Sequence, residues 1–315
     1  MRDLKNFSAG EWLRFVPLEV AFKQARNDAW LAIYKKIRPK ALDSFLVETQ
    51  RFGNQSVALV IAFEQPRALD WLLRMAQRNL TDTAVLVFDN SRRAAARLDI
   101  ERVCRDRGVP YLALPVNRTR HVNRSHGMAM TWVFHNVVRA IRPRLFAFID
   151  HDLIPVRTSG LSERLAEQPF YGKLRASAWA WQLWAGYCLF DFSTVAGLPM
   201  NFLYDFSQKL DTGGRNWDCL YRNYDRERLR FAGSRYADVR DPVTGVSQSV
   251  EIVDDRWLHI GSIGYNDNFR SKSQFCENLA HAMDGGAPWT ELCDDANARP
   301  AEPQAPEFPQ PTRTE

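Results

Sequence analysis

Four short apolar runs, separated by segments of helical periodicity, occupy residues 54–160 and leave this chain few ways to fold. Ser56 to Phe63 reads Ser-Val-Ala-Leu-Val-Ile-Ala-Phe; Ala84 to Phe88 and Val109 to Val116 follow, and Leu145 to Ile149 closes the series. Runs this short, without polar alternation, suit strands covered on both faces. Between them, Pro66 to Asn79, Arg92 to Arg107 and Ser125 to Ile141 read as helices, with Pro66 suited to a first turn and Gly108 to a stop. Strands alternating with helices predict an α/β architecture, a mostly parallel sheet flanked by helices. The turn after the first strand, Phe63-Glu64-Gln65-Pro66, holds neither a dinucleotide fingerprint nor a phosphate-binding glycine loop.

The last run ends in Asp150-His151-Asp152. In open α/β sheets ligands sit at the carboxyl ends of the strands. Residues i and i+2 share a strand face, so Asp150 and Asp152 can converge on one hard cation. Two buried carboxylates do not both stay ionised without such a partner. The competing reading is a solvated loop that caps a following helix, which Pro155 permits.

With 45% hydrophobic and 25% charged residues, the 315-residue chain is of ordinary globular type and long enough to bury a sizeable core. The net charge of +5 is unevenly placed, because residues 1–55 hold ten Lys/Arg against six Asp/Glu. No basic run elsewhere marks a nucleic-acid footprint, so no nucleic-acid partner is expected. Five cysteines without CxxC spacing argue against a zinc cluster and a disulfide framework. No signal peptide and no apolar stretch approaching about 18 residues is present, so the protein is expected to be cytoplasmic.

Residues 1–53 predict a helical extension, with one helix over Val20 to Ile37, a stop at Pro39 and a second helix over Ala41 to Arg51. The first is basic and carries Trp30 and Tyr34. It can pack on the main domain, which its alanine-rich face favours, or lie peripherally on the inner face of a membrane. Residues 54–297 form the expected main domain. From 298 to 315 the chain is Pro-rich and polar, and predicts a disordered tail.

A nucleotide-type sheet that lacks a glycine loop but ends a central strand in Asp-x-Asp resembles the GT-A fold glycosyltransferases, family 2-like, over roughly residues 55–265. The resemblance implies a donor half over 54–160 and an acceptor half over 161–297. Phe63, Asp89 and Asn90 stand at the strand ends where the family contacts the nucleotide. Asp150 and Asp152 match the motif that grips Mn²⁺ or Mg²⁺ and the donor diphosphate, and His259 in Trp257–Ser262 matches a histidine that completes the metal shell. Trp184-Ala185-Gly186 matches an acceptor-side segment, with Trp181 and Trp184 as candidate sugar platforms. Asp211, in Leu210-Asp211-Thr212-Gly213-Gly214, stands where the family places its catalytic base, with Asp218 in reserve. His126 either touches the donor or follows Ser125, a helix cap.

The implied activity is metal-dependent transfer of a sugar from a nucleoside-diphosphate donor, UDP-type by preference, to a glycan or lipid-linked acceptor. It would be an inverting step in polysaccharide biosynthesis. Two readings compete. An Asp-x-Asp phosphatase would carry the pair on its first strand, whereas here three strands precede it and Leu153-Ile154 follow. A non-catalytic module binding sugar nucleotide or carbohydrate would share the fold. Every donor-side residue lies after residue 55, so the N-terminal helices are expected to be dispensable for donor binding.

Overall fold

The computed structural model describes residues 2–261 and 269–300. Three helices lead the chain: α1 (Ala9–Leu13), α2 (Val16–Lys36) and α3 (Leu42–Thr49). The predicted alternation follows as β1 (Ser56–Ala62), α4 (Pro66–Asn79), β2 (Thr83–Asp89), α5 (Ala94–Asp106), β3 (Tyr111–Ala113) and α6 (Val122–Val133). A π-helical turn over Phe134–Val138 joins α6 to α7 (Arg139–Ile141), and β4 (Leu145–Asp150) completes the parallel set. Then come β5 (Leu153–Pro155), α8 (Leu161–Leu165), β6 (Phe170–Ala176), β7 (Trp181–Asp191), α9 (Phe192–Val195) and α10 (Asn216–Cys219). The last elements are β8 (Ser234–Arg240), β9 (Ser247–Val253), β10 (Trp257–His259), α11 (Phe269–Asp284), α12 (Trp289–Leu292) and β11 (Cys293–Pro300).

Six strands form the main sheet in the order β3-β2-β1-β4-β7-β6. The first four are parallel, while β7 runs antiparallel to β4 and β6 antiparallel to β7. The chain steps outward from β1 to β3, then crosses to the other side of β1 to lay down β4. That reversal opens a crevice between the carboxyl ends of β1 and β4, where Ile61 lies beside Asp150.

Both faces of the sheet are covered, as the unalternating runs require. Ala58, Val60, Leu145, Ala147 and Ile149 join one core with α4 and Trp257. Val57, Leu59, Ile61, Phe146 and Phe148 join the other with α6. Asp150 shares the parity of Phe146 and Phe148, which aims its carboxylate toward the α6 side.

A second sheet, β11-β8-β9-β10-β5, is antiparallel. It organises much of the stretch after residue 161, which the sequence leaves irregular. Strand β5 directly follows the Asp-x-Asp, so this sheet begins at the site and returns to it through β10.

The N-terminal segment is no appendage. Leu31, Tyr34, Leu42 and Phe45 are buried in the same core as β1. Tyr34 donates its hydroxyl hydrogen bond to Pro115 O at 3.0 Å, and the Trp132 indole donates to Ile37 O at 2.9 Å. At the other end, residues 298–300, expected to open the tail, still belong to β11, where Arg299 pairs with Tyr236. Residues 301–315, and Ser262, lie outside the described residues. The five cysteines are all free thiols, and among the described residues no helix is long and apolar enough to cross a membrane.

Candidate active site

Strand β4 ends at Asp150, and the next residues turn into β5, which is held by β10 in a ladder pairing His259 with Leu153. The Ile260 N–H donates to Asp152 O at 3.1 Å, fixing the turn that carries the second carboxylate. Two elements distant in sequence thereby bring Asp150, Asp152 and His259 to one end of the crevice. Strand β7 lies along β4 on the other side, with Tyr187 opposite Ile149, so Gly186 sits beside Asp150. A Cβ at Gly186 would stand 2.5 Å from Asp150 Oδ2 and 2.3 Å from the Trp184 ring. Only glycine leaves room there for the carboxylate and the indole together. The Trp184 ring packs on the His259 imidazole, centroids 4.8 Å apart.

From the other side, α6 presents His126, whose Nε2 lies 3.6 Å from Asp150 Oδ1. Asp211 arrives on the loop before α10 and closes the group. Its Oδ1 accepts from the Thr212 N–H at 2.7 Å and from the side-chain amide of Asn123 on α6. Asp211 is exposed, whereas Asp152 is buried.

The electrostatics describe a site short of positive charge. Burial, then the neighbouring Asp152 carboxylate, raises the Asp150 pKa well above the usual carboxylate range, and the Asp211 charge adds to the effect. Burial pulls the His126 pKa down to about 4, against the raising influence of Asp211 and Asp152, so the ring is neutral near pH 7. Burial also acts to lower His259, but the hydrogen bond to Glu251 and the charges of Asp152 and Asp150 outweigh it and leave its pKa raised. The Glu251 bond goes to His259 Nδ1 at 2.7 Å. Glu251 itself is buried and held by Lys173 and Ser234. Burial would raise its pKa, yet His259 and Lys173 hold it well below the usual range.

These residues fit a divalent cation of the hard type. Among the described residues no lysine or arginine pairs with either carboxylate, and an imidazole is oriented by a carboxylate through its other ring nitrogen, the support that metal-bound histidines commonly have. Among the described residues no group of three or more His, Cys, Asp or Glu side chains is placed to hold a metal ion. The donor set is therefore open, two carboxylates and at most His259, which suits Mg²⁺ or Mn²⁺ with positions left for ligand oxygens.

Other candidates take different roles. Asp89 is wholly buried, and its carboxylate is used inside the protein: Oδ1 accepts from the Ser91 N–H at 2.7 Å and Oδ2 from the Tyr111 hydroxyl at 2.9 Å. It clamps the strand-end turn and presents nothing to a nucleobase. Asn90 donates to Ser125 Oγ at 3.0 Å, while its Oδ1 is buried without a partner. Phe63 is half-buried at the end of β1, with the Arg92 guanidinium 5.9 Å from its ring centre. Trp181 is not a sugar platform. It is buried among Phe170, Trp217, Tyr221 and Phe231. Asp218 is exposed on α10, and its charge acts on the Cys219 thiol.

Sequence reasoning missed His151, whose Nε2 is buried without a hydrogen-bond partner, and the supporting set Glu251, Lys173 and Asn123. His151 was legible, standing between the two aspartates. The supporting set shows only once β6, β9 and α6 are brought together.

No protein-family model matches the chain, and no curated protein matches it. Among solved structures, it is similar to the galactosyltransferase LgtC in complex with donor and acceptor sugar analogues, at 13% identity and TM-score 0.32, over 44% of this chain and 58% of that one. It is similar to the mannosyltransferase PcManGT from Pyrobaculum calidifontis, solved with GDP-Man and Mn²⁺, at 9% identity and TM-score 0.34, over 55% of each chain. A third similarity is to glucosyl-3-phosphoglycerate synthase from Mycobacterium tuberculosis, solved with Mn²⁺ and UDP-glucose, at 14% identity and TM-score 0.28, over 44% of this chain and 49% of that one. The chain spans 49–58% of the length of these three solved structures.

Proposed function

We propose that this protein is a metal-dependent glycosyltransferase that moves a sugar from a nucleoside-diphosphate donor to a hydroxyl acceptor. The observation that carries this reading is the convergence of Asp150, Asp152, His259, His126 and Asp211 at the switch point of the parallel sheet, around a glycine that leaves Asp150 room. Asp150 and Asp152, with His259 oriented by Glu251, would hold Mn²⁺ or Mg²⁺. When bound, such an ion neutralises the charge that gathers on a departing diphosphate. A cavity of about 260 Å³ beside His259 and Glu251 is lined by Arg175 and Lys272, which add positive charge where phosphates would lie.

Asp211 is the proposed base. As the acceptor oxygen bonds to the anomeric carbon, the bond from that carbon to the diphosphate oxygen breaks, and Asp211 takes the acceptor proton. A single displacement of this kind inverts the anomeric centre. Base assistance is worth about 10²–10⁴-fold. Neutral His126 stands 3.6 Å from Asp150 and within reach of the Asp211 and Asp152 charges. Trp184, next to Gly186, offers the remaining acceptor-side surface.

The test is turnover of a panel of nucleoside-diphosphate sugars, UDP sugars first, with and without Mn²⁺. Release of the nucleoside diphosphate that needs both metal and acceptor supports the reading, and NMR of the product reports the anomeric outcome. Binding without turnover would favour the non-catalytic module. The absence of both turnover and a thermal shift with every nucleoside diphosphate tested in the presence of Mn²⁺ would overturn the proposal.

A further inference from the structure

Helix α2 is apolar on two opposite faces, and only one of them has a partner. Asn27, Leu31 and Tyr34 face the protein and are buried. On the outward side Leu18, Phe22, Ala25, Ala29 and Ile33 recur at spacings of three and four residues, all exposed. Phe22 is 69% exposed, Trp30 58% and Ile33 59%, and just before the helix Leu13 and Phe15 are exposed as well. A continuous apolar stripe of this kind on the outside of a folded chain marks a contact surface.

Charge beside the stripe indicates what covers it. A groove of about 650 Å³ runs between α2 and the segment joining β3 to α6, lined by Trp30, Ile33 and Val116 together with Arg26, Arg118, Arg120 and Arg124. Among the described residues none of the four arginines is ion-paired; Arg124 donates only to neutral partners, Thr119 Oγ1 at 2.6 Å and Asn27 Oδ1 at 3.0 Å. Burial lowers the Arg124 pKa, opposed by Tyr204, and the nearby Arg26 charge adds to the lowering. The acidic side chains of α2 itself are already used, Glu19 by Lys23 and Asp28 by Arg215. Exposed apolar side chains flanked by unneutralised arginines complement a surface with anionic headgroups above an apolar interior.

We propose that the outward face of α2 and its arginine-lined groove seat the protein on an anionic lipid bilayer. Phe22, Trp30 and Ile33 enter the acyl boundary, and Arg26, Arg118, Arg120 and Arg124 meet lipid phosphates. This inference is independent of the proposed activity, since none of these residues belongs to the Asp150 site.

The test is flotation of the full chain with vesicles of phosphatidylcholine alone and of an equal mixture of phosphatidylcholine and phosphatidylglycerol. The wild type is expected to float with the mixed vesicles and remain behind with the neutral ones, and high salt should release it. Two paired variants, Phe22→Glu with Trp30→Glu, and Arg118→Glu with Arg120→Glu, should each weaken partitioning by about tenfold or more. Thermal unfolding near that of the wild type would show that the exposed substitutions leave the fold intact. Failure of the wild type to float with the mixed vesicles would overturn the proposal. So would equal binding to both vesicle types that the arginine variant leaves unchanged. A dimer that the Phe22 and Trp30 variant converts to monomer, with no lipid binding, would also overturn it and make the face a contact between copies of this chain.

Discussion

Asp150 and Asp211 reach the crevice from opposite sides, and conservative substitution should separate their roles. Asp150→Asn removes a proposed metal ligand, so nucleotide binding in the presence of Mn²⁺ should weaken, read as a lost thermal shift; a ligand at 100 times its Kd stabilises by about 2.7 kcal/mol. Asp211→Asn keeps shape but not basicity, so kcat should fall by about 10²–10⁴-fold while donor affinity stays near wild type. Equal loss of nucleotide affinity in both variants would place Asp211 with the donor, and an unimpaired Asp211→Asn enzyme would move the base elsewhere, Asp218 first. Gly186→Ala tests the clearance itself. The new methyl group would press on Asp150 Oδ2 and Trp184, so activity should drop by about 10²-fold with the secondary structure retained on circular dichroism. At this scale the sequence was informative where a residue's role follows from its own strand. Asp150 and Asp152 are legible because an apolar run delivers them to a strand end. Asp89 looks the same in sequence, yet it spends its carboxylate on the Ser91 N–H and the Tyr111 hydroxyl, which no local pattern announces. Trp181 misleads for a related reason, since its packing partners come from β6, the α10 region and the chain beyond it.

Among the elements, the helix from α6 through the π-turn into α7 carries the site at one end and a pH-sensitive group at the other. His135 lies in the π-turn with Nε2 3.0 Å from Met200 O, and burial lowers its pKa to about 4. A histidine whose folded pKa is depressed contributes stability that is complete above its unfolded value near 6.5 and is lost as pH falls through the folded value. Stability should therefore decline between about pH 6.5 and pH 4 as this residue takes up its proton. His135→Gln should flatten that part of the profile in urea titrations. If its slope matches the wild type, His135 is not the titrating group. The parallel strands were legible because burial on both faces leaves unbroken apolar runs of strand length. The antiparallel sheet was not, because β9 reads Ser-Gln-Ser-Val-Glu-Ile-Val, where half-exposed and site-supporting polar residues hide the alternation. Glu251 stands inside that strand and holds His259, so the polar residue that obscures the element is also one that supports the proposed site.

For the molecule as a whole, the sequence places a domain boundary near residue 53 because regular alternation begins there, and the packing does not respect it. Leu31, Tyr34, Leu42 and Phe45 are each at most 4% exposed and complete the core behind β1 and α6. The Trp132 indole and the Pro115 carbonyl find partners in α2 and the residue after it, and Arg124 donates to Asn27 from the helix that carries His126. Losing one large buried side chain typically costs about 2–5 kcal/mol, and four such losses approach the whole stability of a domain, about 5–15 kcal/mol. A chain beginning at Gly53 should therefore be unfolded or aggregated, with no cooperative thermal transition, rather than a competent donor-binding domain. The outward face of α2 should respond oppositely: Phe22→Glu and Trp30→Glu touch no core and should leave the transition within a few degrees of wild type. That pair of results would show one helix serving the core with one face and a surface with the other. A truncated chain that folds and still binds nucleotide with Mn²⁺ would instead make residues 1–53 a separable extension.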